Sequence, residues 1–140
     1  DMYDAVIERA DSMDIIVKAA AVADYRPKNV SSEKVKKQDG NMSIELERTD
    51  DILKTLGERK NSQFICGFSM ETENMLENSR KKLEKKNCDM IVANNLKQDG
   101  AGFGGNTNIV TLITKDDEVQ LEKMTKDEVA EKIFDFILSR

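Results

Sequence analysis

The sequence contains no histidine and no tryptophan, one proline, two cysteines and seven glycines in 140 residues. Without histidine, imidazole acid–base catalysis and His-ligated metal sites are excluded. Cys66 and Cys88 are too few for a structural zinc and form no disulfide framework for a domain of this size. The low Pro and Gly content excludes collagen-like and Pro/Gly-rich disordered chains. No apolar run approaches the ~18 residues that span a bilayer, and no basic-then-apolar start resembles a secretory signal. A membrane partner is therefore not expected. Five Phe and two Tyr leave little for base-stacking platforms. Twenty-seven acids against 22 bases give a net charge of −5, which repels a phosphate backbone. Nucleic acid is likewise not expected, although a local basic patch for a small phosphorylated ligand is compatible with this balance. Any chemistry has to run on Lys, Asp, Glu, Arg and backbone groups.

What is present is enough for one hydrophobic core: 39% of residues are hydrophobic and 35% charged, in a length typical of a single domain. Residues 1–140 are expected to form one α/β domain. Tyr3, Val6, Ile7 and Ala10 recur at helical spacing, and residues 15–21 read as a buried strand. A domain that opens on a helix feeding a parallel-type strand reads as a fragment of a longer protein that lacks its preceding strand. Residues 24–41 are polar, Lys-rich and without a clear period, an unusually long connection of the kind that carries function. Residues 43–47 alternate as a short strand. Ile52, Leu53 and Leu56 begin a helix that Thr49, Asp50 and Asp51 are suited to cap. Two βα-like units follow. Residues 64–68 are a buried strand, residues 73–87 a helix with Leu76 and Leu83 inward, and residues 90–93 a second buried strand. Residues 108–113 and 118–121 pair across Lys115, Asp116 and Asp117 as a hairpin. The last helix opens on the capping box Thr125-Lys126-Asp127-Glu128 and buries Val129, Ile133, Phe136 and Ile137.

Short apolar strands alternating with amphipathic helices predict a Rossmann-like, mostly parallel sheet covered on both faces, with an antiparallel C-terminal hairpin. Ligands in such sheets bind beyond the carboxyl ends of the strands, here residues 21–24, 68–72 and 93–95, which are expected to converge.

Each of these ends has an unusual composition and also an ordinary explanation. In Ala20-Ala21-Val22-Ala23-Asp24-Tyr25-Arg26-Pro27, small residues admit a flat ring, and Asp24 and Arg26 supply an acceptor and a fork of donors. An alanine-rich strand turning on Pro accounts for it equally. The lysines of Glu33-Lys34-Val35-Lys36-Lys37 are suited to close over a polyphosphate, although a solvated charge run is the commoner source of such a segment. Gly67-Phe68-Ser69-Met70-Glu71-Thr72 suits ring stacking and close backbone approach, or is a plain strand-to-helix turn capped by Thr72. Met75, Ser79, Lys82 and Lys86 share one helical stripe that either holds phosphates or faces solvent. Gly100-Ala101-Gly102-Phe103-Gly104-Gly105 precedes a strand instead of following one, so it is not a dinucleotide loop. Cys66, inside an apolar run, reads as a buried reduced thiol.

Taken in order, these blocks, together with Asp89-Met90-Ile91-Val92-Ala93-Asn94 and Gly102-Phe103 with Asn108, resemble the phosphopantothenoylcysteine synthetases (phosphopantothenate–cysteine ligases) along essentially the whole chain. The resemblance implies a ligase of coenzyme A biosynthesis that joins L-cysteine to 4′-phosphopantothenate. In its bacterial members CTP with Mg²⁺ gives an acyl-cytidylate and pyrophosphate, and the cysteine amine then displaces CMP. It also implies a cytoplasmic homodimer, often fused to a flavin-dependent phosphopantothenoylcysteine decarboxylase. Residue by residue, Ala20, Ala21 and Asp24 match nucleotide-binding positions. Lys34 matches a catalytically important lysine on a flap, Phe68 a nucleotide-contacting Phe, and Lys82 and Lys86 two nucleotide-binding lysines. Charge stabilisation, not proton transfer, is the role expected of Lys34. A Gly-rich segment and an Asn that serve acyl-cytidylate turnover in the family have no counterpart in these residues, so the fragment alone is expected to be a partial site.

Two other classes are compatible with such a sheet. A dinucleotide oxidoreductase on a similar sheet is weakened by the lack of a Gly-rich strand-to-helix turn. A non-catalytic nucleotide-binding or dimerisation module is favoured by a dimer with no affinity for any nucleotide even when the N-terminal segment is restored.

Overall fold

The computed structural model describes residues 1–36, 39–71, 73–95 and 105–140. The chain divides into two compact units, residues 1–19 with 52–140 and residues 20–51.

The larger unit is built on a five-stranded sheet. Its elements in chain order are α1 (Met2–Ala10), β1 (Ile15–Lys18), α2 (Ile52–Arg59), β4 (Phe64–Glu71), α3 (Met75–Lys85), β5 (Met90–Asn95), β6 (Thr107–Asn108), β7 (Val110–Ile113), β8 (Glu118–Gln120), β9 (Met124–Thr125) and α4 (Lys126–Leu138). The smaller unit contributes β2 (Tyr25–Pro27) and β3 (Leu46–Arg48). The sheet order is β1-β4-β5-β7-β8. β1, β4 and β5 run parallel, and β7 and β8 are antiparallel. This is the expected mixed, mostly parallel sheet with an antiparallel hairpin.

The alternation of strand side chains separates two cores. On one face Ile65 and Ile91 pack with Ala10, Ile52, Leu53, Leu56 and Leu83 from α1, α2 and α3. On the other, Cys66, Met90, Val92, Val110 and Leu112 pack with Val129, Ile133 and Ile137 of α4. Thr125 and Glu128 form the predicted capping box, each side chain bonding the other's backbone. Gly57 is the point of closest approach between α2 and the end of α3. A Cβ there would lie 1.8 Å from the Lys86 carbonyl oxygen, so only Gly fits.

Several boundaries differ from expectation. β1 ends at Lys18 instead of continuing to residue 21, and its residues are half-buried instead of buried. β4 runs on to Glu71 because six residues of β5 pair with it, Cys66 to Glu71 against Met90 to Asn95. α3 starts at Met75 behind Asn74 in the left-handed conformation (φ 49°), and Leu76 is 38% exposed, not inward. Phe136 is only partly buried. The strand expected over residues 108–113 is interrupted at Ile109, whose N–H donates to Asn108 Oδ1 at 2.9 Å. Asn108 instead joins β6 and pairs with Met124.

In the smaller unit, β2 lies where an aperiodic loop was expected, and β3 sits three residues later than the predicted strand. Cross-strand charge fixes this register. Arg26 Nε meets Glu47 Oε1 and Lys28 Nζ meets Glu45 Oε1, both at 2.7 Å, and the Arg48 guanidinium lies 5.8 Å from the Tyr25 ring centroid. Thr49 closes the ladder, with Oγ1 donating to the Ala23 carbonyl at 2.6 Å and its N–H to that of Asp24 at 3.0 Å.

Candidate functional site

In the larger unit the predicted residues gather at the carboxyl end of β4. Phe68 is half-buried and packs on the α4-side core. Its carbonyl oxygen accepts a hydrogen bond from Lys82 Nζ of α3 at 2.7 Å. One turn earlier on the same stripe, Ser79 is fully buried and shares a 2.6 Å hydroxyl–hydroxyl bond with Ser69 of β4. That bond holds the helix against the strand at the height from which Lys82 reaches across. Lys86 caps α3, its N–H bonded to the Lys82 carbonyl at 3.0 Å.

Burial, the main cause, lowers the Lys82 pKa, and the charges of Lys18 and Lys86 lower it further while Glu71 opposes them. Glu71 itself accepts a hydrogen bond from Asn78 Nδ2 at 3.2 Å. An anion here relieves both the desolvation and the mutual repulsion of the lysines.

The expected meeting of strand ends holds for two of the three segments. Ser69 pairs with Ala93, Met70 with Asn94 and Glu71 with Asn95. Residues 21–24 belong to the smaller unit. There Ala20, Ala21, Asp24 and Lys34 are all exposed. Lys37, Thr72, and Gly102 and Phe103 of the glycine-rich stretch lie outside the described residues, and with them the expected Thr72 cap.

Asn94 adds a feature the sequence reading did not single out as a site. Among the described residues its Oδ1 is the one buried side-chain polar atom without a hydrogen-bond partner. An orphaned acceptor at a strand end is the mark of a place where a ligand or water supplies the donor. Only the register of β5 against β4 and β7 reveals it.

No group of three or more His, Cys, Asp or Glu side chains able to hold a metal occurs among the described residues. Cys66 and Cys88 are free, and burial raises their pKa values to about 12 and about 11. Both thiols are therefore unsuited to nucleophilic work. A separate cavity of about 160 Å³ is lined by Met75, Leu76, Ala93, Ile109, Thr111, Glu118 and Gln120. Its one charged residue, Glu118, is already paired with Arg80 at 2.7 Å, so it does not suit a phosphate.

The family described as "DNA/pantothenate metabolism flavoprotein C-terminal domain" matches residues 1–140. The coenzyme A biosynthesis bifunctional protein CoaBC of Bacillus subtilis (strain 168) is 55% identical over 116 residues, 83% of this chain and 29% of that protein. A cysteine/cysteine sulfinic acid decarboxylase from an unknown prokaryotic organism is 43% identical over 141 residues, 99% of this chain and 39% of that protein. Among solved structures, the C-terminal domain of a CoaBC protein superposes with a TM-score of 0.78 at 46% identity, covering 98% of this chain and 59% of that one. The chain thus spans between about three-tenths and two-fifths of the length of these curated relatives.

Proposed function

The chain belongs to the DNA/pantothenate metabolism flavoprotein C-terminal domain family, and on that footing we propose that it is the nucleotide-handling part of a phosphopantothenate–cysteine ligase of coenzyme A biosynthesis. The observation that carries this reading is the ammonium of Lys82 bonded at 2.7 Å to the carbonyl of Phe68, at the end of a parallel strand where such sheets bind ligands.

In the proposed reaction the carboxylate of 4′-phosphopantothenate attacks the α-phosphorus of CTP, forming an acyl-cytidylate and releasing pyrophosphate. The amine of L-cysteine then attacks the acyl carbon, the amide bond forms, and CMP leaves with the electron pair of the broken acyl–oxygen bond. Lys82 and Lys86 in the larger unit, and Lys34 in the smaller, are assigned to neutralise triphosphate charge as it shifts toward the leaving pyrophosphate. Mg²⁺, when bound, supplies further neutralisation of the same oxygens. Phe68 offers a ring face, Ala20 and Ala21 close backbone approach, and Asp24 an acceptor. The Asn94 amide oxygen is available to a ligand N–H. Turnover of the acyl-cytidylate is assigned to a Gly-rich segment and an Asn outside these 140 residues.

The name "bifunctional" of one relative and the decarboxylase name of another support fusion to, or association with, a phosphopantothenoylcysteine decarboxylase. Exposed Val30, Val35, Met42 and Ile44 in the smaller unit support homodimer formation. No helix among the described residues is long and apolar enough to cross a membrane; the cytoplasmic location is proposed from the relatives' place in coenzyme A biosynthesis.

The test is titration of the intact protein with CTP and with ATP, each with Mg²⁺, beside turnover of Lys34→Ala. Saturable binding that favours CTP, and turnover reduced by about 10²-fold or more, are expected. Preference for ATP changes the nucleotide and keeps the ligase, and unchanged turnover removes Lys34 from the mechanism. Absence of both binding and turnover favours a non-catalytic module.

A further inference from the structure

In the block Gly67-Phe68-Ser69-Met70-Glu71-Thr72 the ligase reading uses Phe68 alone. Glu71 is the last residue of β4. It stands two residues beyond Ser69, whose hydroxyl meets Ser79 of α3, so strand alternation turns both side chains to that helix. Asn78 Nδ2 donates to Glu71 Oε2 at 3.2 Å and to the Glu73 carbonyl at 3.1 Å. These two bonds pin the carboxylate against the first turn of α3. Asn78 precedes Lys82 by four residues, so the two lie on one stripe of the helix. Glu71 is thereby held one helical turn from the residue assigned to the phosphates, on the same side of α3.

The charge of Glu71 is felt at Lys82, yet the two groups bond elsewhere. Lys82 Nζ donates to the Phe68 carbonyl at 2.7 Å, and the donor to Glu71 is a neutral amide. That amide engages Oε2 and leaves Oε1 available. A half-buried carboxylate with an available oxygen takes a cationic donor in preference to a neutral one, because the charge-assisted bond is about twice as strong. The ligase reaction brings such a donor to this place. The ammonium of L-cysteine has to reach an acyl carbon that is joined through a single oxygen to the α-phosphorus of the nucleotide.

We propose that Glu71 binds the cysteine ammonium at the carboxyl end of β4 and accepts a proton from that nitrogen as the amide forms. This assignment rests on the nucleotide-dependent ligase reading and gives its second step a proton acceptor. The ammonium first loses one proton to water, which frees the lone pair. The lone pair forms the bond to the acyl carbon, and the acyl–oxygen bond breaks with its electrons leaving on CMP. A nitrogen joined to the acyl carbon is strongly acidic, so its surplus proton passes to Glu71 and from there to water.

The two steps are measured separately in the intact protein. Pyrophosphate released from CTP and 4′-phosphopantothenate without amino acid reports the first, and amide formed on adding L-cysteine reports the second. Glu71→Gln is the informative variant, because its amide oxygen still accepts from Asn78 while the charge is gone. It is expected to retain the first step and to lose about 10²-fold in kcat/KM for cysteine, with a raised KM for cysteine. Trapping of the acyl-cytidylate by hydroxylamine, an amine already neutral at neutral pH, should be spared. Lys82→Met, by contrast, should slow the first step. Glu71→Asp keeps the charge at shorter reach and should show a smaller loss confined to the second step; it decides the matter if the Gln variant melts early. Unchanged cysteine kinetics, or equal losses in both steps, overturn the role of Glu71 and leave the ligase reading standing. A wild-type protein that forms no acyl-nucleotide overturns both.

Discussion

Burial acts on the lysine and on the thiols of this sheet in ways that predict different pH responses. The Lys82 pKa is held below its ordinary value of 10.5, with desolvation the largest cause. Between the lowered value and 10.5 the unfolded chain binds more protons, so stability rises with pH across that window. A bound polyphosphate reverses the balance by favouring the ammonium. Binding is therefore expected to take up protons, and affinity to fall as pH rises through the lowered pKa. Calorimetric heats in buffers of different ionisation enthalpy measure the uptake; identical corrected heats would show that Lys82 stays fully charged. The thiols behave oppositely. Cys66 is raised to about 12 and Cys88 to about 11 from an ordinary 9.0. Their contribution to stability is present below pH 9.0 and is lost as pH climbs toward those values. At pH 8 a thiol reagent is expected to modify neither until denaturant unfolds the chain. At this scale the sequence made Phe68 and Lys82 legible through an ordered series of motifs. Asn94 was not legible, because the strands that pair with it leave its amide oxygen buried and without a partner.

Elements were readable wherever one residue pattern sets them. The capping box of α4 and its buried Val129, Ile133 and Ile137 follow from spacing alone. Boundaries set by a neighbour were not readable. β4 is lengthened by its pairing with β5, and β3 is set by ion pairs to β2. Two predictions belong here. Gly57→Ala drives a methyl into the Lys86 carbonyl and should destabilise by about 2 kcal/mol or more. It should also weaken nucleotide binding, since Lys86 has to give way. Ser79→Ala leaves the buried Ser69 hydroxyl without its 2.6 Å partner and should cost about 1–3 kcal/mol, whereas the Ser69→Ala, Ser79→Ala pair should be close to neutral. Denaturant melts of the three variants decide this, and equal losses for single and double changes would mean that the hydroxyl pair is not what holds α3 to β4.

For the whole molecule, the larger unit is encoded in two blocks, residues 1–19 and 52–140. β1 finds β4 in parallel register, Ile15 opposite Phe64, although residues 20–51 lie between them. The sheet class, its parallel centre and its antiparallel hairpin were legible because apolar runs and helical periods alternate along the chain. The division into two units was not, since nothing in the polar stretch announces a two-stranded sheet fastened by its own charges.

That division has an evolutionary consequence. A segment that leaves one strand and returns before the next helix is, to the core, a loop whose closure entropy grows only with the logarithm of its length. Residues 20–51 can thus drift, lengthen or be exchanged like a cassette while the hydrophobic layers on either side of β4 stay fixed. Chimaeras carrying this stretch from a relative should inherit the donor's ligand preferences on the recipient's scaffold, so that selectivity and stability evolve on separate tracks within one small chain.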